Sequence, residues 1–392
     1  MMTFPLNKIA YCLLLIFSIG AISACNYVKN VKLLTSGSLE RADFTESIPF
    51  TYNKDLIIVE AEINGHHEKR QFIFDTGAFD SKIEHGLAEE LNLNTKATKT
   101  NSTAQGISQK IEVTQLEKLV LGETSFSNIS AGKLEYGTSS ASRCIAPDGI
   151  IGANLMKLVN WKIDYTSQQI HFSDHAFNVS EVANTIHFDH PLLSGTPEIV
   201  VEVDGKTVSG VLFDVGYNGG LILPSKFASS FTSEVEKKYY DQSTSGIFGT
   251  NTDTLISKEL NVSLAGFDMK IPVEFSSIGK ALLGNDILEH FTVTIDYEND
   301  QISLDPQSEV HVASPYSFIP GILNDSLWVA NRTTASLPFS LGDTLLSINN
   351  KKPEDVFSSY CDYFLNVGIL INSDSLKITK EDGSELIIYP GK

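Results

Sequence analysis

The sequence has few cysteines, few tryptophans and no excess of basic charge. Its 392 residues include four Cys and two Trp, and the formal net charge is −19. A chain this acidic repels nucleic acid and anionic lipid, so neither is expected as a partner. Cys144 and Cys361 lie far apart along the chain. We expect them to be buried thiols, although a disulfide between them stays open outside the cytoplasm.

Several familiar catalytic and binding motifs are also missing. No Gly-x-Ser-x-Gly element and no Cys–His pattern offers a nucleophile. The glycines at 219–220 are not followed by the Lys-Ser/Thr of a phosphate loop. His66, His67, His187 and His190 have no carboxylate or Cys at metal-ligand spacing, so we expect ordinary surface residues. The sequence predicts no metal and no cofactor.

A long apolar run is present only at the N-terminus. The segment MMTFPLNK carries one Lys, and the stretch IAYCLLLIFSIGAI that follows is too short for a comfortable membrane span. This combination predicts a secretory signal over residues 1–24, outside the fold.

The end of this signal, Ile-Ser-Ala followed by Cys25, resembles a bacterial lipobox. The resemblance implies cleavage before Cys25 and a lipid on its sulfur, whereas the alternative is an ordinary signal with an incidental Cys. A lipid on Cys25 predicts a periplasmic or outer-membrane lipoprotein, anchored in the bacterial cell envelope without spanning the membrane. Residues 25–45 are then expected to be a polar tether.

One pattern occurs twice in the chain. The segments KDLIIVEAEINGHHEKRQFIFDTGA (54–78) and TPEIVVEVDGKTVSGVLFDVGYNG (196–219) have the same order of features. Each has an alternating strand, an Asn-Gly or Asp-Gly turn, and a second strand that ends in Phe-Asp-x-Gly. The match predicts two copies of one structural unit.

The repeat continues downstream. Residues 148–173 correspond to residues 280–305, with Gly152 and Gly284 at a constant offset of 132 positions. The Asp and Ile residues that follow these glycines keep the same offset. A constant offset over several anchors is hard to obtain by chance, so we interpret the two segments as homologous.

The repeats and the remaining residues predict three domains, in line with the length of the chain. Short alternating strands with Gly, Asn and Asp turns indicate a mainly β fold of two homologous barrel-like lobes, 46–180 and 181–308. Residues 309–392 do not share the sequence pattern of the two repeats. In them, residues 341–350 resemble the Gly-Asp-x-hydrophobic-x-x-Ile-Asn core of a PDZ domain. The resemblance implies an α+β domain that binds a peptide or protein C-terminus, and the alternative is an unrelated α+β cap.

The strongest functional signal is FIFDTGAFDS at 72–81. It resembles the active-site loop of retropepsin-like aspartic proteases, and the apolar segments that contain Gly152 and Gly284 resemble the segment beneath that loop. The resemblance implies that each lobe supplies one catalytic aspartate, Asp75 and Asp214. Two carboxylates held a few ångströms apart share one proton; the ionised one activates a water, and the protonated one donates to the peptide carbonyl.

Five neighbours are expected to support these aspartates. They are Thr76, Gly77 and Ala78 in the first loop, with Val215 and Gly216 in the second. In the family, a Ser or Thr hydroxyl after each Asp bonds across to the opposite loop. Thr76 has that hydroxyl and Val215 does not. The loss of such a hydrogen bond costs on the order of 1 kcal/mol, so we expect a slower site rather than an abolished one.

Glycine-containing hairpins predict a flap in each lobe. The flap segments are residues 103–111 around Gly106 and residues 244–253 around Gly246, although glycine is also common in ordinary polar turns. Tyr217 either lines the cleft or packs. The sequence therefore predicts an aspartic endopeptidase that holds an extended polypeptide between its lobes. The alternative is a catalytically impaired lipoprotein that binds peptides without cutting them.

Overall fold

The computed structural model describes residues 31–191, 194–277, 279–324 and 326–390. Strands make up 48% of it and helices 12%, which confirms the predicted mainly β fold. The predicted signal and Cys25 lie outside the described residues. Within the described ranges, no helix is long and apolar enough to cross a membrane.

The first sheet has nine strands. The Asn64-Gly65 turn within it has positive φ at both residues (52° and 79°), as a type I′ hairpin turn requires. The sheet curls round because Ser108–Leu121 also pairs with Thr124–Leu134. In order across the sheet, the strands are Ser38–Leu39, Thr124–Leu134, Ser81–Glu84, Gly149–Ile151, His66–Phe74, Leu56–Ile63, Ser108–Leu121 and Ala97–Ser102, with Thr51–Asn53 beside Leu56–Ile63.

The second sheet has twelve strands. Its Asp204-Gly205 turn repeats the positive φ values (44° and 72°) of the first hairpin. In order, its strands are Glu198–Val203, Lys206–Phe213, Leu282–Leu283, Leu221–Pro224, Phe267–Ser276, Asp253–Leu264, Glu236–Asp241, Leu327–Thr334, Thr344–Ile348, Leu376–Lys380 and Glu385–Ile388, with Ile319–Leu323 beside Leu327–Thr334. A separate two-stranded hairpin consists of Ser245–Gly246 and Gly249–Thr250.

Both sheets contain one local arrangement that follows the sequence repeat. Residues 72–74 run parallel to Gly149–Ile151, and residues 212–213 run parallel to Leu282–Leu283. In each sheet, the second of these strands also pairs antiparallel with the strand that follows the Asp-x-Gly loop. Strands covered on both faces are apolar throughout, which explains the continuous apolar runs in the repeat. Each sheet thus carries one Asp at the end of a buried strand.

A third sheet of six strands joins the two repeats, and the sequence analysis did not predict it. At its centre, Lys162 lies opposite Thr294, its equivalent at the offset of 132. The flanking pairs are symmetric about this one, as around a local two-fold axis. In order, the strands are Asn184–His187, Gln301–Pro306, Phe291–Asp296, Asn160–Asp164, Gln169–Ser173 and Thr45–Pro49.

The described helices are short. Glu84 caps one of them, since its carboxylate accepts the Leu87 N–H (2.8 Å). The α-helices are His85–Glu90, Ser142–Ile145, Ala153–Met156, Asn285–Leu288, Tyr360–Asn366 and Gly368–Ile371, and residues 31–34 are also helical. The 3₁₀ helices are Ser225–Ser230 and Pro353–Asp355.

Residues 309–390, here called the C-terminal unit, have an apolar core of their own around Phe318 and Trp328. Strands Leu327–Thr334 and Thr344–Ile348 are followed by Tyr360–Asn366 and then by a hairpin. The identification of this unit as a PDZ domain and the domain limits drawn from the sequence stay predictions.

Part of the segment predicted to be a tether, residues 25–45, pairs with the sheets. Ser38–Leu39 pairs with the first sheet, and the strand Thr45–Pro49, which begins at the last residue of the predicted tether, pairs with the six-stranded sheet. The chain is therefore integrated into the fold from residue 38 onward, because backbone pairing holds it there.

The expectation of two buried thiols at Cys144 and Cys361 was wrong. The two residues form a disulfide, with an S–S distance of 1.98 Å and Cα atoms 5.2 Å apart. The bond joins helices Ser142–Ile145 and Tyr360–Asn366, which pack against each other.

Candidate active site

Asp75 and Asp214 end the two buried strands that the repeat marks. The Asp75 N–H donates to the Ile151 carbonyl (3.0 Å), and the Asp214 N–H donates to the Leu283 carbonyl (2.9 Å). Each Asp is therefore held at its backbone by the neighbouring parallel strand. A rigid element of this kind fixes the direction of a functional side chain.

The two carboxyl groups meet. A side-chain hydrogen bond joins Asp75 to Asp214, and the nearby Gly77 N–H lowers the pKa of both. The Ala78 N–H donates to Asp75 Oδ1 (2.8 Å), and the Gly216 N–H donates to Asp214 Oδ1 (2.9 Å). The structure thus brings the predicted aspartates together with three of the predicted supporting residues. Asp75 and Asp214 are called the carboxyl pair below.

The surroundings give the two members of the carboxyl pair unequal proton affinities. Burial, followed by the charge of Asp75, raises the pKa of Asp214 well above its ordinary value. Burial also raises the pKa of Asp75, but the Ala78 N–H, the hydrogen bond with Asp214 and the Lys82 charge oppose that rise. Two carboxylates in contact do not both ionise readily, so the pair shares one proton, and the larger rise in pKa favours Asp214 as the member that holds it.

Gly77 and Gly216 allow the loops to approach this closely. A Cβ atom on Gly77 would lie 2.3 Å from Asp214 Oδ2, and a Cβ atom on Gly216 would lie 2.3 Å from Asp75 Cγ. Both distances are far below van der Waals contact. A side chain at either position would force the carboxyl pair apart. Glycine is therefore required at both positions because the Asp of the opposite loop lies so close.

A hydrogen-bonded bridge between the loops is present on one side. The buried Thr76 hydroxyl donates to the Phe213 carbonyl (2.6 Å) and accepts the Val215 N–H (3.0 Å). Val215 is also fully buried, but its side chain has no polar atom with which to reciprocate. Thr76 alone therefore links the two loops through a side-chain hydroxyl.

Gly152 and Gly284 lie beneath the two loops. The N–H that follows Gly152 donates to the Ala78 carbonyl (2.8 Å), and the N–H that follows Gly284 donates to the Tyr217 carbonyl (2.9 Å). A Cβ atom on Gly152 would lie 2.6 Å from the Asp80 carbonyl carbon. A Cβ atom on Gly284 would lie 2.4 Å from the Tyr217 carbonyl oxygen. These neighbours are backbone atoms, so the crowding could not be relieved by a change of rotamer.

Asn285 supports the second loop, and the sequence analysis did not single it out. Its Nδ2 donates to the Val215 carbonyl (2.8 Å) and to the Asp55 carbonyl (2.6 Å). Its Oδ1 accepts the Tyr165 hydroxyl (2.8 Å). Asn285 therefore ties the loop of the second repeat to residues of the first. Its place directly after the repeated Gly284 was the one signal that pointed to it.

A buried cationic cluster lies near Asp75 and was also missed. Asp80 is fully buried, and the Nζ of the buried Lys82 lies 2.6 Å from Asp80 Oδ1, while Lys99 forms a second ion pair with the same carboxylate. Burial would raise the pKa of Asp80, but the two lysines lower it. Burial and the Lys82 charge lower the pKa of Lys99 to about 8. Two lysines and one carboxylate leave a net positive charge on this side of the carboxyl pair.

The carboxyl pair lies in a cleft of about 580 Å³, which Tyr217 also lines. Parts of both flap segments line it as well. Gly106 lies at a turn with φ of 74°, and Gly246 belongs to the small hairpin. The flap segments contact each other, since Asn251 Nδ2 donates to the Gln105 carbonyl (3.0 Å). In the part of the chain that the structure describes, no three His, Cys, Asp or Glu side chains are grouped to hold a metal ion.

Comparison with known proteins gives a family match for part of the chain. Residues 59–155 match the family model described as aspartyl protease. The matched range includes Asp75, Thr76, Gly77 and Gly152 and stops before Asp214. The match supports the aspartic protease family, and with it a hydrolase that acts on polypeptides. No curated protein matches the chain.

Proposed function

We propose that the protein is an aspartic endopeptidase that hydrolyses peptide bonds with Asp75, Asp214 and an activated water. The observation that carries the proposal is the hydrogen-bonded carboxyl pair in a cleft, with unequal pKa shifts in its two members. The family match reaches the first Asp loop only. The contact with the second loop is therefore what supports a two-carboxylate mechanism.

Because Asp75 and Asp214 differ in proton affinity, they have different roles in the proposed reaction. Asp75, the ionised member, takes a proton from the water while the water oxygen attacks the peptide carbonyl carbon. Asp214 donates its proton to the carbonyl oxygen, which gives a neutral tetrahedral diol. The diol collapses when the nitrogen takes the proton from Asp75 and the C–N bond breaks. A diol hydroxyl returns its proton to Asp214, so the carboxyl pair ends in its starting state.

The proposal includes two homologous lobes, residues 46–180 and 181–308, with the substrate extended between them under the flap segments. The equivalent Asp loops and the two-fold pairing around Lys162 support this division. An extended substrate can add main-chain hydrogen bonds to exposed strand edges while its side chains occupy pockets. The mechanism needs no cofactor.

The lipid anchor on Cys25 and the bacterial envelope location also belong to the proposal, and the lipobox-like sequence is their support. The C-terminal unit is proposed to be PDZ-like because of its element order and its Gly-Asp segment. A peptide or protein C-terminus is its proposed ligand.

The main experiment uses purified residues 26–392 and a mixture of peptides, with and without a transition-state inhibitor of aspartic proteases. Asp75→Asn and Asp214→Asn are each expected to lose about a hundredfold or more in rate, because each removes an acid–base group. Asp305→Asn is the control, since Asp305 lies in strand Gln301–Pro306 and does not line the cleft. Cleavage by both pair variants at the wild-type rate would rule out the carboxyl pair as the catalyst.

A second candidate function is peptide binding without cleavage, which the buried apolar Val215 favours because one arm of the loop bridge is missing. Tight peptide binding with no turnover from mildly acidic to neutral pH would establish it. The same peptide mixture, followed by calorimetry and by mass spectrometry, separates the two functions.

A further inference from the structure

The C-terminal unit reaches the candidate active site. Phe364, on helix Tyr360–Asn366, lines the same cleft as Asp75 and Asp214. The side chain is partly buried. A residue far from both Asp loops in sequence therefore forms part of the cleft wall.

The helix that carries Phe364 is fastened to the first repeat. Cys361 forms the disulfide with Cys144. One residue earlier, the Tyr360 hydroxyl donates to the Ser139 carbonyl (2.8 Å). The Arg143 guanidinium lies 5.2 Å from the centre of the Tyr360 ring, within the range of a cation–π contact. A covalent bond and two polar contacts thus hold this helix beside the cleft.

The same helix is also fastened to its own unit. The buried Tyr363 hydroxyl donates to the Pro320 carbonyl (2.7 Å) in strand Ile319–Leu323. Two residues of one short helix, three positions apart, therefore bond to opposite sides, Tyr360 to the first repeat and Tyr363 to the C-terminal unit. Phe364 directly follows Tyr363 on this helix, so contacts to both units fix its position.

Phe364 packs on an apolar cluster next to Asp75. The cluster adjoins the carboxyl pair because Ile73 lies two residues before Asp75 and the Ala78 N–H donates to Asp75. Its buried members are Leu56, Ile58, Ile73, Ile145, Ala146 and Ile150, with Ala78, Ile247, Phe364 and Leu365 packed against them. Most of these residues also line the cleft.

We infer that Phe364 closes an apolar subsite beside the scissile bond and sets the size of the substrate side chain that fits there. Apolar walls favour an apolar side chain, and the phenyl ring limits its bulk. The favoured substrates are polypeptides with a branched aliphatic residue at this position. The inference rests on the proposed endopeptidase activity, and it makes the C-terminal unit part of the substrate site.

The experiment compares two peptides that differ at one position next to the cut bond, with leucine or naphthylalanine there. Phe364→Ala is expected to change the ratio of kcat/KM for the two peptides by about tenfold or more toward naphthylalanine, since pocket contacts of this size discriminate to that degree. Phe364→Leu should give an intermediate ratio. Ile369→Ala, at an exposed position of the next helix, is the matched control and should keep the wild-type ratio. Non-cleavable analogues of both peptides give the corresponding ratio of Kd values by calorimetry.

The outcomes separate the inference from the proposed function. A wild-type protein that cleaves neither peptide, but whose Kd ratio changes in Phe364→Ala, would refute the peptidase and support the subsite. Normal cleavage with an unchanged ratio in folded Phe364→Ala would refute the subsite and leave the peptidase standing. Neither binding nor cleavage would refute both. Should Phe364→Ala fail to fold, the ratio in Phe364→Leu decides: an unchanged ratio refutes the subsite.

Discussion

Thr76 and Val215 occupy equivalent positions after the two aspartates, yet Thr76 alone can bridge the loops with its side chain. Its hydroxyl both donates to the Phe213 carbonyl and accepts the Val215 N–H. By the local two-fold relation, a hydroxyl at position 215 would face the Phe74 carbonyl. The carboxyl pair therefore has one firmly bridged side and one that relies on packing and on Asn285.

Val215→Thr is expected to stabilise the folded protein by about 1 kcal/mol and to maintain or raise kcat/KM, because the new hydroxyl can donate to the Phe74 carbonyl. Denaturant unfolding and peptide cleavage measure the two effects. Thr76→Val, which removes the existing bridge, is the matched comparison and should lose stability. A clear loss of activity in Val215→Thr would mean that the apolar side chain is itself required.

Lys82→Met is expected to move the acidic limb of the pH profile of kcat/KM to higher pH. The Lys82 charge lowers the pKa of Asp75, so its removal raises that pKa, and the proposed mechanism needs Asp75 ionised to activate water. The matched control is Lys258→Met, which replaces a buried lysine paired with Glu236 in the second sheet. The control should keep the limb in place. An unchanged limb in Lys82→Met would show that the cluster does not act on Asp75.

At the scale of elements, the site depends on very short strands. Leu282–Leu283 has only two residues and Gly149–Ile151 three, too few for alternation to reveal them. Their place beneath the Asp loops could be predicted because each lies directly before a repeated glycine, Gly152 or Gly284. The six-stranded sheet could not, since the pairing of strands from distant segments depends on tertiary packing more than on local pattern. The pairing of Lys82 with Asp80 could likewise not be predicted, because nothing in the sequence shows that both residues are buried together.

Gly284→Ala is expected to lower Tm and to remove measurable cleavage. The new Cβ would lie 2.4 Å from the Tyr217 carbonyl oxygen, and relief would displace the loop that carries Asp214. Gly368→Ala is the matched control, because its nearest neighbour, Asn372 Nδ2, lies 3.6 Å away and a helix favours Ala over Gly. Calorimetry and the cleavage assay report both effects. Wild-type behaviour of Gly284→Ala would contradict the requirement for glycine beneath the loop.

At the scale of the whole molecule, the C-terminal unit contacts both repeats. Strand Leu327–Thr334 pairs with Glu236–Asp241, and a buried ion pair between Arg332 Nε and Asp241 Oδ1 (2.7 Å) spans the same joint. The Cys144–Cys361 disulfide joins the C-terminal unit to the first repeat. Neither contact could be predicted from the sequence. Cysteine spacing does not determine which cysteines pair, and no sequence pattern indicates that Arg332 and Asp241 form an ion pair.

Replacing both cysteines, Cys144→Ser with Cys361→Ser, is expected to lower the free energy of unfolding by about 2–4 kcal/mol, as the loss of a cross-link over a long loop does. Denaturant unfolding should give the same value for this variant and for the wild-type protein in reductant. The oxidised wild-type protein should be more stable than either. Equal stability of the oxidised and reduced wild-type proteins would contradict a stabilising role for the bond.

The same bond closes a covalent ring between positions 217 residues apart. Asp214 and Gly246 lie inside the ring, while Asp75 lies on the chain that enters it. A single backbone cut anywhere within the ring leaves two fragments that are still one covalent molecule. A peptidase that nicked its own loops there would keep both halves of its carboxyl pair together until a reductant released them.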